Sequence, residues 1–152
     1  MKKLMVLVLT LVGVLSLVGC QEQVSTYSFR GGHEYFAISN VSVSLDDKKD
    51  VFDGGNIEIT QSGFFDEVMS YTTTFYMFTN GEQKIILSNT EINQTGEATA
   101  IDCDLGSISG EGILGIGVKS VDDLKENLWF EFKTTDLNGA ENVYQIQLTL
   151  AD

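Results

Sequence analysis

The chain has 152 residues and carries 22 acidic side chains against 9 Lys and Arg, a formal charge of −13, with two cysteines and no proline. That balance excludes nucleic acid as a partner, because such binding rests on Lys and Arg contacts to phosphate, and two cysteines exclude a disulfide-stapled scaffold. The length matches a single domain able to bury a core without staples.

The first segment has the layout of an export signal. Lys2 and Lys3 precede an apolar block from Leu4 to Val18, and Gln21, Glu22 and Gln23 return the chain to polar residues. A charged start followed by such a block is a secretory signal, and a block of about 15 residues falls short of the roughly 20 that span a bilayer. The stretch that closes it, Leu17-Val18-Gly19-Cys20, resembles the lipobox of bacterial lipoproteins, a match confined to the first 20 residues. That resemblance implies cleavage before Cys20 and a diacylglyceryl group on its thiol, and two acyl chains anchor stably where one binds only marginally. The whole chain is similar in kind to small surface lipoproteins of Gram-positive bacteria. The expected organisation is therefore a signal peptide over 1–19, a short tether over 20–26 and a folded domain over 27–152, held on the extracytoplasmic face of the cell membrane. Loss of residues 1–19 leaves 133 residues with 7 basic and 22 acidic side chains, a formal charge of −15. Such a charge disfavours contact with anionic lipid, so the domain is expected to stand off the surface on its lipid.

After the tether, aromatic and β-branched residues alternate with polar ones and glycines punctuate them, the pattern of strands. Strands are predicted at Thr26 to Arg30, Glu34 to Ser39, Val41 to Leu45, Asn56 to Gln61, Ser70 to Thr79, Gln83 to Ser88, Ala98 to Asp102, Leu128 to Thr134 and Asn142 to Leu150. Turns are predicted at Gly54-Gly55, Asn80-Gly81 and Asn138-Gly139. A short helical turn opens at Ser120, with Asp123 three residues on as its capping partner. The Ser70 to Thr79 hairpin is apolar on both faces near its middle and is expected to form a central strand pair. About nine strands in this length predict an all-β, antiparallel β-sandwich, with an immunoglobulin-like order as one topology open to it.

The last hairpin has a readable register. A two-residue Asn138-Gly139 loop would set Phe132 against Gln145, mixing apolar with polar. A three-residue loop, Leu137-Asn138-Gly139 with Gly139 left-handed, pairs Phe132 with Tyr144, Phe130 with Ile146 and Leu128 with Leu148. One face is then wholly apolar. The opposite face carries Trp129, Glu131, Lys133, Val143, Gln145 and Gln147 and meets water.

Chemistry is sparse by comparison. His33 is the one histidine, and without a second imidazole or a serine elbow neither a zinc site nor a triad assembles; it reads as a surface or turn residue. Asp46, Asp47, Asp50 and Asp53, beside Gly54 and Gly55, offer oxygens to Ca²⁺, but lack the alternating Asp spacing and closing Glu of a calcium loop; with Lys48 and Lys49 among them, a solvated connection is favoured. Asp102 and Asp104 are a weaker version. Once Cys20 is acylated, Cys103 has no intramolecular partner; its acidic neighbours oppose a thiolate, and it reads as a buried strand residue. The glycine-rich run Gly106 to Gly117 lacks the helix and Lys-Ser/Thr of a phosphate loop.

The binding candidate is Trp129, with Glu131, Gln145 and Gln147 around it. On an open face such a tryptophan stacks on a sugar ring or anchors a protein, although burial under the Glu111 to Asp123 loop is the commoner fate of tryptophan. Three functional expectations follow: a non-enzymatic binding or accessory module for an envelope protein or glycan, without a cofactor; a cell-wall or glycan hydrolase using paired carboxylates; or a structural subunit of a membrane complex.

Overall fold

Alternating apolar residues build ten strands and one helical turn in the computed structural model, which describes residues 24–46, 48–93, 100–115 and 117–151. The lipobox with Cys20, and also Asp47, Ala98 and Thr99, lie outside the described residues. The strands are β1 (Ser25–Gly32), β2 (Phe36–Leu45), β3 (Asp50–Asp53), β4 (Asn56–Ile59), β5 (Val68–Thr79), β6 (Glu82–Ile92), β7 (Ser107–Gly110), β8 (Leu128–Asp136), β9 (Glu141–Gln147) and β10 (Thr149–Leu150), with α1 (Val121–Leu124) before β8. They form two antiparallel sheets packed as a β-sandwich: β10-β1-β2-β3-β7 with β4 also on β2, and β6-β5-β8-β9. This order is not immunoglobulin-like. There the first sheet joins strands A, B, E and D, whereas here β1, β2 and the β3/β4 pair follow one another as a meander.

The two sheets close on a phenylalanine core. Phe29, Phe36, Phe52, Phe75, Phe130 and Phe132 are each at most 1% exposed. Phe36 of the first sheet lies edge-on to Phe130 and Phe132 of the second, at centroid distances of 6.0 and 5.3 Å. Each such ring stabilises the fold by about 1.5–3 kcal/mol through area burial alone.

Leu137-Asn138-Gly139 forms the predicted three-residue loop, closed by Asp136 N–H on Ala140 O (2.9 Å), with Gly139 at φ 83°. Phe132 pairs with Tyr144 and Phe130 with Ile146, and Leu148 N–H donates to Leu128 O. The helical turn also forms where predicted: the Asp123 carboxylate accepts the N–H groups of Lys119 and Ser120, which hold its pKa below the ordinary aspartate value.

Other elements depart from expectation. The strands predicted at Glu34 to Ser39 and Val41 to Leu45 are one strand, β2, bent at Asn40, whose φ is 59°. Beyond the bend β2 changes partner, from β4 over Phe36 to Ser39 to β3 over Ser42 to Ser44. Gly54-Gly55 is accordingly no hairpin turn; it links β3 to β4 alongside the bend, where Asn40 Nδ2 donates to Asn56 Oδ1 (3.1 Å). β5 is interior, but β6 is an edge strand, so the expected central pair is half right. Ile101 and Asp102 are not strand, and β7, which lies on β3, fills that edge of the first sheet.

Candidate functional site

The outer face of the second sheet divides into a polar half and an apolar half. Pairing places Thr90, Thr72, Lys133 and Val143 in one row across the four strands, and Ser88, Thr74, Glu131 and Gln145 in the next. These rows are laced by Thr72–Thr90 (2.9 Å) and Thr74–Ser88 (3.0 Å) hydroxyl bonds, Gln145 Nε2 donating to Glu131 (2.7 Å) and a Lys133–Glu141 ion pair (2.8 Å). The third row is Ile85, Tyr76, Trp129 and Gln147, with Phe78 beyond it. Charge stops at the boundary.

In this apolar half Tyr76 lies nearly parallel to Trp129 (6.4 Å, 15°), and both meet Phe78 edge-on at 5.7 and 6.5 Å. Tyr76 faces away from the core yet is only 2% exposed, while Ile85 and Phe78 remain 58% and 44% exposed. The sheet thus buries an aromatic ring on its solvent side beneath a cover of apolar neighbours. Burial, with Glu131 nearby, pushes the Tyr76 hydroxyl above the ordinary tyrosine value. Trp129 is partly exposed and its ring partners come from its own sheet. The Glu111 to Asp123 segment instead runs across the Ser25 end of the sandwich, burying Leu114 and receiving Lys84 Nζ on Gly112 O (2.9 Å). Of the predicted neighbours, Glu131 and Gln145 bond each other, and Gln147 Nε2 donates to Glu126 O.

Comparison with protein-family models, curated proteins and solved structures gives no match. The surface chemistry therefore carries the functional reading on its own.

The Asp-rich connection splits into separate local roles. Asp46 Oδ1 accepts Lys48 N–H (3.2 Å) and Asp53 Oδ1 accepts Gly55 N–H (2.8 Å), each two residues on, as in Asx-turns. Asp50 and Asp53 are three apart in β3 and so point to opposite faces. Among the described residues no group of three or more His, Cys, Asp or Glu side chains is placed to hold a metal. Asp102 and Asp104 cap backbone N–H groups of Asp104 and Gly106, and Cys103 between them is exposed with a free thiol, contrary to the expected buried strand position. His33 stacks on Phe36 (5.3 Å, 19°) and touches Tyr35 and Tyr144, closing the far end of the sandwich as a packing residue.

One carboxyl stands apart. Asp50 lines a recess of about 420 Å³ with Asp46, Glu111, Lys48, Lys49 and Lys119. Burial pushes its pKa above the ordinary aspartate value, against the opposing pull of the Asp46 and Leu114 backbone N–H groups and of Lys84. A folded-state pKa above the unfolded value means that the folded chain holds this proton more tightly, so Asp50 erodes stability as pH rises from 3.8 to its folded pKa. Asp50→Asn is therefore expected to gain stability relative to wild type between pH 3 and pH 7. Thermal melts of both proteins at the two pH values test this, and a relative loss at pH 7 would contradict it.

Proposed function

We propose that the chain is a lipid-anchored accessory module of the cell envelope, non-enzymatic, which recruits another envelope protein through the apolar half of its second sheet. The anchor is the diacylglyceryl group on Cys20 implied by the lipobox resemblance; no helix among the described residues is long and apolar enough to cross a membrane. The observation that supports recruitment is the surface of Phe78, Ile85 and Trp129 packed over the buried Tyr76: an apolar patch rich in aromatic side chains has the composition of an interface centre. A protein partner suits it better than a glycan. Sugar recognition pairs a stacking ring with free polar groups, and the Glu131, Gln145 and Gln147 side chains beside Trp129 are engaged within the protein. The hydrolase alternative needs two carboxyls with displaced pKa values across a cleft, and its best support is the single upward-shifted Asp50.

In detergent extracts of the native membrane, the wild-type chain is expected to run as a complex larger than its own mass. Ile85→Glu and Trp129→Ala are expected to weaken that association by tenfold or more, about 1.4 kcal/mol, as hot-spot positions do. Unchanged association in both variants would remove this face from consideration.

A further inference from the structure

The domain is strongly polarised in charge, and its least acidic end is the end nearest the anchor. Ser25 opens β1 opposite Leu45, and the same end of the sandwich holds the Asp46 to Lys49 connection, the β5–β6 turn and the run from Gly110 to Asn127. They meet there: Lys84 bonds Gly112 O, Asn127 donates to Phe78 O and accepts Phe78 N–H, and Ser25 lines the recess bordered by Lys48, Lys49 and Lys119. By sequence, segments 45–50, 79–84 and 110–127 hold five lysines (Lys48, Lys49, Lys84, Lys119 and Lys125) and eight carboxylates. The rest of the chain after Cys20 holds two cations, Arg30 and Lys133, and fourteen carboxylates. With Glu22 of the tether added, the anchor side carries nine carboxylates against five lysines, net −4, and the remainder net −11, so the anchor side is the less acidic of the two.

The tether keeps this end close to the membrane. Four residues lie between Cys20 and Ser25, and at about 3.3–3.6 Å per residue the strand starts within roughly 20 Å of the acylated thiol. A charge dipole held so near an anionic leaflet is turned by the surface field. Carboxylates at both ends are repelled, but at the near end five lysines within a Debye length of about 8–10 Å offset most of them, so the far end, with Glu34, Asp66, Glu67 and Asp136, is the one turned outward. We infer that the domain does not stand off: it docks end-on, with Lys48, Lys49 and Lys119 against anionic phospholipid headgroups and its acidic far end directed outward. All three lysines are exposed. The inference rests on acylation of Cys20 as proposed above and fixes the posture in which the apolar patch is offered. That patch lies on the flank toward the docked end, so a partner reaching it is itself at the membrane.

Lysine footprinting on the acylated chain tests this. The full mature chain, purified in detergent, is reconstituted at low density into phosphatidylcholine vesicles with or without phosphatidylglycerol, and its lysines are acetylated and quantified by peptide mass. Docking predicts that Lys48, Lys49 and Lys119 are protected several-fold in phosphatidylglycerol vesicles but not in phosphatidylcholine. Lys133, near the other end, should be unchanged in both. Protection should vanish in molar salt, where the Debye length falls to about 3 Å, and in the Lys49→Glu/Lys119→Glu variant when followed at Lys48. Equal labelling in the two lipids, or protection that survives molar salt, would overturn docking while leaving the anchor intact. A chain that does not float with either vesicle would overturn the anchor reading and docking with it.

Discussion

Phe130→Ala is expected to cost about 3–5 kcal/mol, the range for deleting a fully buried phenylalanine. Phe130 is 0% exposed and sits where the two sheets meet, against Phe75 at 4.9 Å from β5, Phe132 at 6.4 Å on its own strand and Phe36 at 6.0 Å from the facing sheet. Those rings are held by separate strands on both sides of the gap, so they cannot collapse together into the space left behind, and the cavity term is felt nearly in full. Against a total stability of about 5–15 kcal/mol for a domain of this kind, the loss is large. Urea titration should show the midpoint falling with its slope unchanged. Phe78→Ala, the same chemical deletion on the outer face at 44% exposure, should cost about 1–1.5 kcal/mol, since only part of its apolar area leaves water on folding and no closed cavity is left. Similar losses from the two would contradict the assignment of core and outer face.

Gly55→Ala is expected to be almost as damaging, for a reason that does not involve the hydrophobic core. Gly55 has φ 64°, and a Cβ there would lie 2.2 Å from Ser39 O, 2.5 Å from Asn40 C and 2.6 Å from Val41 N. Those atoms belong to the backbone of β2 at its bend and cannot swing aside. The left-handed backbone alone costs a non-glycine residue about 1–2 kcal/mol, and forced displacement of packed structure adds about 1–3 kcal/mol, giving about 2–5 kcal/mol together. Gly139→Ala separates the two contributions. Its φ is 83° with nothing within 4 Å of the added atom, so only the conformational cost of about 1–2 kcal/mol applies. Equal destabilisation by the two substitutions would show that the close approach of Gly55 to β2 carries no weight.

Legibility in the sequence followed how far each strand is two-faced. β8 and β9 alternate strictly, so one register buries Phe130, Phe132, Tyr144 and Ile146 together and any slip exposes them; that made loop length, pairing and the wet face readable. β3 and β7 were not readable. Each has four residues, and β3, Asp50-Val51-Phe52-Asp53, has an aspartate at either end, so strand propensity was masked by local charge while Phe52 alone carries its inward anchor. Asn40 ended a strand in sequence terms but only bends one in the fold, because a left-handed asparagine opposite Gly54-Gly55 lets β2 continue with a new partner.

The candidate surface was half legible for a related reason. Alternation put Trp129 on the outer face, with Glu131, Gln145 and Gln147. What it could not supply was the neighbours across the sheet, because Tyr76 and Ile85 reach Trp129 only through β5 pairing with both β6 and β8. The apolar middle of β5 held the signal: Tyr76 and Phe78 alternate with Phe75 and Met77, so a strand apolar on both faces announced a second buried layer. Here that layer is the outer patch itself. The polar residues around Trp129 prove to be occupied with one another, Gln145 with Glu131 and Gln147 with Glu126, which moves the expected contact from the carboxamides to the rings and to Ile85.

The proposed posture and the recruitment of a partner at the membrane rest on acylation of Cys20, and intact-mass measurement of the chain purified from membranes of its own cells tests that directly. Acylation at Cys20 predicts a polypeptide beginning at that residue, heavier than residues 20–152 by a diacylglyceryl group on the thiol, and released from membranes by detergent but not by salt. A chain retaining residues 1–19, or one with an unmodified Cys20 recovered in the soluble fraction, would contradict it.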